Sequence, residues 1–294
     1  MYHLSMIEAE VLKMLALTEM STATKQSYEF YCRDFFRWWF ENNPDLDPIL
    51  VSVDDVMLWL STHPKWTSST KHIAGSALKK FYRWKYGEHP LELLKIKRVD
   101  PGPQRTLDRG ELLDVLSSID TTTIGGIRDL AILSLMVDTG IRATEICNLE
   151  MDRLNLDKKR FTVKVKGGGI AEKLFFDYTG LCLRNWLVLR DEIVMKGVKN
   201  VFVSVGGKRP GTPLTRSGIR YLSKKMSALS GIARFSPHCL RRTFATLATE
   251  NGAPSRVVQV AGGWKSIRMV ERYTKALKPE AIAPFSPIDK LMND

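Results

Sequence analysis

The sequence predicts a mainly α-helical protein with one small antiparallel β-sheet: an N-terminal helical bundle followed by an α+β domain. Three observations carry that expectation. Apolar residues recur at helical steps through most of the chain, one stretch near residue 160 alternates with period two, and a proline- and glycine-rich break falls at 100–105. The length of 294 residues fits two domains at roughly 150 residues each.

The first domain is expected at 1–99. From Thr24 to Phe40, Tyr28, Tyr31, Phe35, Trp38 and Trp39 fall at three- and four-residue steps, the apolar stripe of a helix. Ser52 followed by Asp54 and Asp55 opens a second helix carrying Val56, Trp59 and Leu60. Ser68 to Tyr86 gives a third, with Ile73, Leu78, Phe81 and Trp84 expected inward and Lys71, Lys79, Lys80, Arg83 and Lys85 elsewhere. These aromatic side chains read as core rather than as platforms for stacked bases. The linker is expected at 100–105, where Pro101, Gly102 and Pro103 remove backbone donors and interrupt regular structure.

The second domain is expected at 106–294. Helices are expected at Leu107 to Ile119 and Ile127 to Val137, the latter stopped by Asp138, Thr139 and Gly140. Arg160 to Lys166 alternates, Gly167, Gly168 and Gly169 interrupt it, and Glu172 to Asp177 resumes, which describes a hairpin with a flexible tip. Val201 to Ser204 reads as a short third strand ended by Gly206 and Gly207. Beyond it the pattern is helical, with Thr215, Ser236 and Ser266 as candidate N-caps.

A hydrophobic content of 44% and a charged content of 26% argue against wholesale disorder and collagen-like structure. No apolar run approaches the roughly 18 residues of a membrane span, and no secretory signal pattern opens the chain. A cytoplasmic protein is therefore expected. Cys32, Cys147, Cys182 and Cys239 are scattered, without a CxxC pair or a nearby histidine cluster, so neither a disulfide framework nor a metal site is expected. The formal charge of +12 is uneven: residues 1–105 sum to +1 and residues 106–294 to +11. A local cationic surplus of this kind suits a polyanion, because Lys and Arg placed at phosphates release condensed counterions.

Four segments could carry chemistry. In the run from Asp138 to Ile146, Arg142 and Glu145 stand three apart at a helix start, close enough to pair. In the run from Pro237 to Thr246, His238 and Arg241 share a helix face. Two planar guanidiniums, Arg142 and Arg241, suit a phosphate whose charge and geometry change during reaction. Gly262, Gly263, Trp264, Lys265 and Ser266 form a tight turn before a helix containing Tyr273. Lys166 sits at the hairpin tip. The lysine–glycine runs at 166–169 and 206–208 lack phosphate-loop spacing, which sets a nucleotide-hydrolysing enzyme aside.

Taken together, these segments resemble the tyrosine recombinase (phage integrase) family. The resemblance rests on DTGIRATEICNL at 138–149, the lysine of VKVKGGG, HCLRRTFAT at 238–246 and GGWKSIRMVERYT at 262–274. Their order fits, with separations of 99 residues from Arg142 to Arg241, 23 to Trp264 and 9 to Tyr273. The match covers most of 106–275, and the helical first domain is similar more loosely to the family's core-DNA-binding domain.

The resemblance implies that Tyr273 attacks a DNA phosphate to give a 3′-phosphotyrosyl link, with no cofactor and no metal. Arg142 and Arg241 would hold the non-bridging oxygens, Lys166 would protonate the departing 5′ oxygen, and His238 would take the tyrosine proton. Glu145 would orient Arg142 or His238. Trp264 occupies a place where most members carry histidine; its indole N–H is a donor only, leaving a phosphate ligand and a packing buttress both open. Arg216, Arg220 and Lys224 repeat every four residues opposite a stripe of Ile219, Leu222, Met226 and Leu229, and with Lys79, Lys80 and Arg83 they are the expected DNA contacts.

The implied partners are double-stranded DNA with short inverted-repeat core sites and further copies of the chain. The copies would form a homotetramer through exchange of the tail 276–294, which carries Ile282, Phe285, Ile288, Leu291 and Met292. Packing of that tail on its own domain is the alternative. No membrane partner is expected, and the short stretch before residue 20 leaves no room for an arm-binding domain. The expected activity is site-specific recombination through a Holliday junction, in integration, excision or resolution of DNA elements. The alternatives are a type IB topoisomerase-like relaxing enzyme and a DNA-binding protein that has lost catalysis.

Overall fold

The computed structural model of the chain describes residues 4–99, 102, 104–164, 169–274 and 288, with the side chains of 272–274 outside that description. The chain divides into two compact units, Met1–Pro101 and Gly102–Asp294.

The first unit is built from α1 (Leu4–Leu17), α2 (Thr22–Asn42), α3 (Val53–Ser61) and α4 (Ser68–Tyr86), with short 3-10 turns at Pro48–Leu50 and Pro90–Leu93. Each of the last three helices starts where a side chain accepts an otherwise unpartnered N–H: Ser21 from Thr24, Ser52 from Asp55 in a reciprocal capping box, and Thr67 from Thr70. The core is aromatic, with Phe35, Phe36, Trp39, Trp59, Phe81 and Tyr82 all buried. Two of its polar atoms are satisfied from a distance in sequence: the Trp59 indole donates to Asp34 at 3.0 Å and the Tyr82 hydroxyl to the Pro48 carbonyl at 2.8 Å. Ile73, expected inward, is 43% exposed, because the inner row of α4 runs through Ala74, Ala77, Leu78 and Phe81 instead. Trp84 is half-buried at the edge of the same core.

The second unit begins with α5 (Arg109–Ser117), α6 (Ile124–Thr139) and α7 (Ala143–Cys147), then β1 (Leu154–Asn155), β2 (Arg160–Lys164) and β3 (Ile170–Leu174). α8 (Asp177–Ile193), α9 (Arg216–Leu229), α10 (Pro237–Glu250), α11 (Ser255–Gly262) and α12 (Ile267–Thr274) follow. Residues 131–136 of α6 are all buried, so this helix is enclosed on every side, with α8 and α10 packed along it. The sheet is antiparallel in the order β1-β2-β3, with Phe161 opposite Lys173 and Val163 opposite Ala171.

Three expectations are corrected. The second hairpin strand runs from Ile170 to Leu174 rather than to Asp177, because Asp177 already opens α8. The third strand is β1 and not Val201–Ser204. That segment is extended and buried, but its hydrogen bonds go to separate places: the Val201 N–H to Leu149, the Phe202 carbonyl from Leu214, and the Ser204 N–H to Thr212. Val203 and Pro213 form only an isolated antiparallel bridge outside the sheet. Finally, Leu229 is 55% exposed in the last turn of α9, past the end of the buried stripe of Ile219, Leu222 and Met226.

Gly140 ends α6 in the left-handed region (φ 59°), and a Cβ there would stand 2.5 Å from the Phe244 ring. Gly140→Ala should therefore lower the stability of the second unit by about 1–3 kcal/mol, read as a fall in urea midpoint without a change in slope. An unchanged midpoint would contradict the tight approach of α6 and α10.

Candidate active site

The site is assembled from three chain turns that lie far apart in sequence. At the first, the chain leaves α6 through Gly140 and enters α7 at Arg142. Glu145, only 7% exposed, accepts the Arg142 backbone N–H at 2.9 Å and its Nη1 at 2.6 Å, so one carboxylate caps the helix and aims the guanidinium. The Arg142 Nη2 reaches the Gly263 carbonyl at 3.4 Å, while the side chain stays 41% open to solvent.

At the second turn, Ser236 caps α10 by accepting the Cys239 N–H, and Pro237 occupies the first helical position, where a missing N–H costs nothing. His238 follows, exposed at the helix start, and Arg241 one turn later is 2% exposed. The Arg241 Nη1 donates to the Gly140 carbonyl, and its guanidinium lies 4.2 Å from the centre of the Trp264 ring.

The third turn joins α11 to α12. Gly263 adopts the left-handed conformation (φ 70°), and the Gln259 carbonyl and side-chain amide fix both backbone groups of Trp264. The indole is 5% exposed and stacks on Phe244 with centroids 6.1 Å apart, in a small cluster with Ala245, Val258 and Val270. A Cβ at Gly262 would overlap this ring. Ser266 accepts the Arg268 N–H at the start of α12, and Tyr273 lies on the last turn of that helix. The Tyr273 side chain falls outside the described part of the structure, and Lys166 lies outside the described residues altogether.

Arg142, His238 and Arg241 line one cleft of about 360 Å³, and Arg216 and Arg220 of α9 line it too. The convergence of these last two with the candidate catalytic groups was not legible in the sequence, which offered them only as a basic helix face. Lys224 is exposed further along α9, away from the cleft. Trp264 does not line the cleft; its ring lies against the Arg241 guanidinium, and packing under Tyr273 falls outside the described side chains. In the first unit, Lys79 donates to the Glu92 carbonyl at 3.0 Å and Arg83 pairs with the Glu92 carboxylate at 2.7 Å, whereas Lys80 is exposed. A residue the sequence did not flag, Lys173, donates to the Thr139 and Ala261 carbonyls at 3.0 and 2.7 Å directly behind the arginines.

Four guanidiniums around one cleft make it an anion cradle. The histidine beside it is displaced too: desolvation first, then Arg242, Arg241 and Arg142, push the His238 imidazole down from 6.5 to about 4. At neutral pH it is an uncharged base, able to accept a proton. Burial, with Arg241 and Arg142 working against Glu145, pushes the Lys173 ammonium down to about 8.

The sequence pattern described as the Phage integrase family matches residues 105–280. The chain is 32% identical over 228 residues to the tyrosine recombinase XerD of Staphylococcus haemolyticus, covering 72% of this chain and 74% of that protein. It is 29% identical over 279 residues to the XerD of Lacticaseibacillus casei, covering 90% of this chain and 92% of that one. Among solved structures, the XerH site-specific recombinase bound to a palindromic difH substrate shares the fold with a TM-score of 0.73 at 19% identity, over 90% of this chain and 80% of that chain. The Tn1549 transposon integrase bound to transposon right-end DNA does so with 0.72 at 16%, over 96% and 99%.

The depressed His238 value has a measurable sign. By NMR the imidazole should stay neutral from pH 8 to below pH 5 in the free protein and titrate near 4. Because the unfolded imidazole titrates near 6.5, folding stability should be lost as pH falls from about 6.5 toward 4. A midpoint at or above 6.5 would contradict the crowding of cations at this ring.

Proposed function

The chain belongs to the phage integrase family and is a tyrosine-type site-specific DNA recombinase; from that premise we propose that Tyr273 is its nucleophile and that the arginine-lined cleft receives the scissile phosphate. The phenol oxygen forms a bond to phosphorus as the bond from phosphorus to the 5′ oxygen breaks, leaving a 3′-phosphotyrosyl link and a free 5′ hydroxyl. The phenol proton passes to His238, and Lys166 supplies a proton to the departing oxygen. Arg142 and Arg241 neutralise the non-bridging oxygens of the pentacoordinate state. The phosphodiester bond energy is conserved in the tyrosyl ester, so rejoining by attack of a 5′ hydroxyl simply reverses the step.

The observation that carries this reading is the meeting of Arg142, His238 and Arg241 at one cleft although 99 residues of chain separate the two arginines. Charge develops on non-bridging oxygens where fixed donors already point, which is how prearranged electrostatics lowers a barrier. The neutral state of His238 supports its role as base. Trp264, stacked beneath Arg241, acts by holding that guanidinium in place rather than by moving protons.

DNA would approach along the exposed row of α9, whose Arg216 and Arg220 stand at the rim of the same cleft, with Lys224 extending the row along the backbone. Lys80 and its neighbours on α4 provide a second contact from the first unit. The biological substrate is a pair of DNA sites with short inverted-repeat cores, recombined through a Holliday junction by four copies of the chain joined through their tails. The work of the protein is integration, excision or resolution of DNA elements.

The test uses covalent trapping. Denaturing recovery of protein–DNA adducts from fragmented DNA identifies the site, and a nicked duplex of that site then serves as substrate in chelator. Wild type should accumulate a protease-sensitive adduct with a free 5′ hydroxyl, and Tyr273→Phe should form none. Arg142→Ala and Arg241→Ala should each slow adduct formation by about 10²–10³-fold. An adduct that persists in Tyr273→Phe would refute the nucleophile assignment, and supercoil relaxation by a monomer without recombinant product would favour a topoisomerase. Independently, Arg220→Ala should weaken DNA binding on all sequences alike and reduce the slope of log affinity against log salt by about 0.9. An unchanged slope would remove Arg220 from the phosphate contacts.

A further inference from the structure

Strand β3 carries its polarity inside out. Ile170 and Leu174 are 68% and 53% exposed, while Lys173 is 4% exposed on the core-facing side, opposite Phe161. Period-two alternation normally sends the apolar residues inward, and a break in that rule marks a place where something besides packing is being served. A buried ammonium persists only when its donors are met. Here the Nζ donates to the Thr139 carbonyl at 3.0 Å and to the Ala261 carbonyl at 2.7 Å.

Both acceptors are C-terminal carbonyls of helices. Thr139 is the last residue of α6, and Ala261 stands next to the last residue of α11. Such carbonyls lack intrahelical partners and form the negative end of the helix dipole. Carbonyls just beyond, at the same two ends, are taken by the catalytic candidates: Gly140, one residue on, accepts from Arg241, and Gly263, two residues on, accepts from Arg142. Three cations thus meet at the two helix ends, and Lys173 donates to both. Arg142 and Arg241 also line the cleft, whereas Lys173 does not and spends its donors on the two ends.

We propose that Lys173 is a positioning residue: it pins the α11–α12 junction, and with it the helix carrying Tyr273, to the turn carrying Arg142, and it anchors there β3, the edge strand that returns from the segment containing Lys166. Burial first, then Arg241 from α10 and Arg142 of the α7 turn against Glu145 of α7, bring the ammonium down to about 8, so mild alkali removes the charge that strengthens its two hydrogen bonds. The catalytic consequence rests on Tyr273 being the nucleophile. The pinning itself does not.

Hydrogen exchange on the full-length protein, followed by mass spectrometry, tests the pin directly. In Lys173→Met, amides of 262–274 should exchange at least tenfold faster, with α6 and α8 unchanged. In wild type, raising pH from 7 to 9.5 should produce the same local gain after correction for base-catalysed chemistry, and this arm decides alone if the variant does not fold. On saturating nicked cognate DNA, Lys173→Met should slow adduct formation at least tenfold while DNA affinity stays within twofold and the final adduct amplitude is kept; a merely structural role would lower the amplitude instead. Exchange that rises evenly across the second unit, or protection at 262–274 that does not change, would overturn the proposal. An adduct persisting in Tyr273→Phe would sink the nucleophile assignment and leave the exchange result standing.

Discussion

Arg241 is a permanent charge almost sealed inside protein, and that single constraint organises the second unit. A guanidinium 2% exposed needs acceptors at fixed points, and it finds the Gly140 carbonyl on one side and the face of Trp264 on the other. Each support has its own requirement. The Gly140 carbonyl points correctly because glycine tolerates the left-handed turn that ends α6 against Phe244. The indole lies flat because Gly262 has no Cβ and Phe244 stacks behind it. The same Phe244 therefore supports both the turn and the ring, so the two holds on Arg241 are not independent.

The pair of arginines divides its labour accordingly. Arg142 is half-open and held by a carboxylate, so it can reach an incoming phosphate. Arg241 is fixed before anything binds. A site of this kind spends little reorganisation at the moment of reaction, because the donors are already aimed. Its cost is burial joined to a concentration of like charge, and the two together displace the protonation of His238 and Lys173. For the histidine that displacement leaves a neutral ring nitrogen able to accept a hydrogen bond, at the cost of basicity. For the lysine it sets an alkaline limit on the strut behind the site.

Much of this was legible in the chain. The helix at Ser68–Tyr86 begins and ends as expected, because Thr67 caps it and Gly87, at positive φ, ends it. Arg142, His238 and Arg241 were identifiable because their motifs, taken in order and at their separations, resemble those of the tyrosine recombinase family. Other features depend on contacts between distant residues. The helices at Leu4–Leu17 and Asp177–Ile193 went unassigned in the sequence, and Val201–Ser204 looked like a strand because burial on both sides gives the same apolar run. The stacking of Trp264 under Arg241 arises from packing across 23 residues. Lys173 was hidden by the glycine-rich tip, which leaves the register of the returning strand undetermined and so conceals which of its residues faces inward. The convergence of α9 on the cleft is likewise tertiary, since a basic row on one helix face does not say what stands beside it.

The most direct test of this arrangement is a crystal structure of the protein trapped on its cognate DNA before cleavage, with Tyr273→Phe as the trap. One phosphate should lie with its non-bridging oxygens within hydrogen-bond distance of both Arg142 and Arg241, His238 beside it, and the ring of residue 273 facing the phosphorus opposite the 5′ oxygen. A DNA phosphate held along α9 alone, with Arg241 still turned wholly onto Gly140 and Trp264, would contradict the two-arginine site on which the mechanism stands.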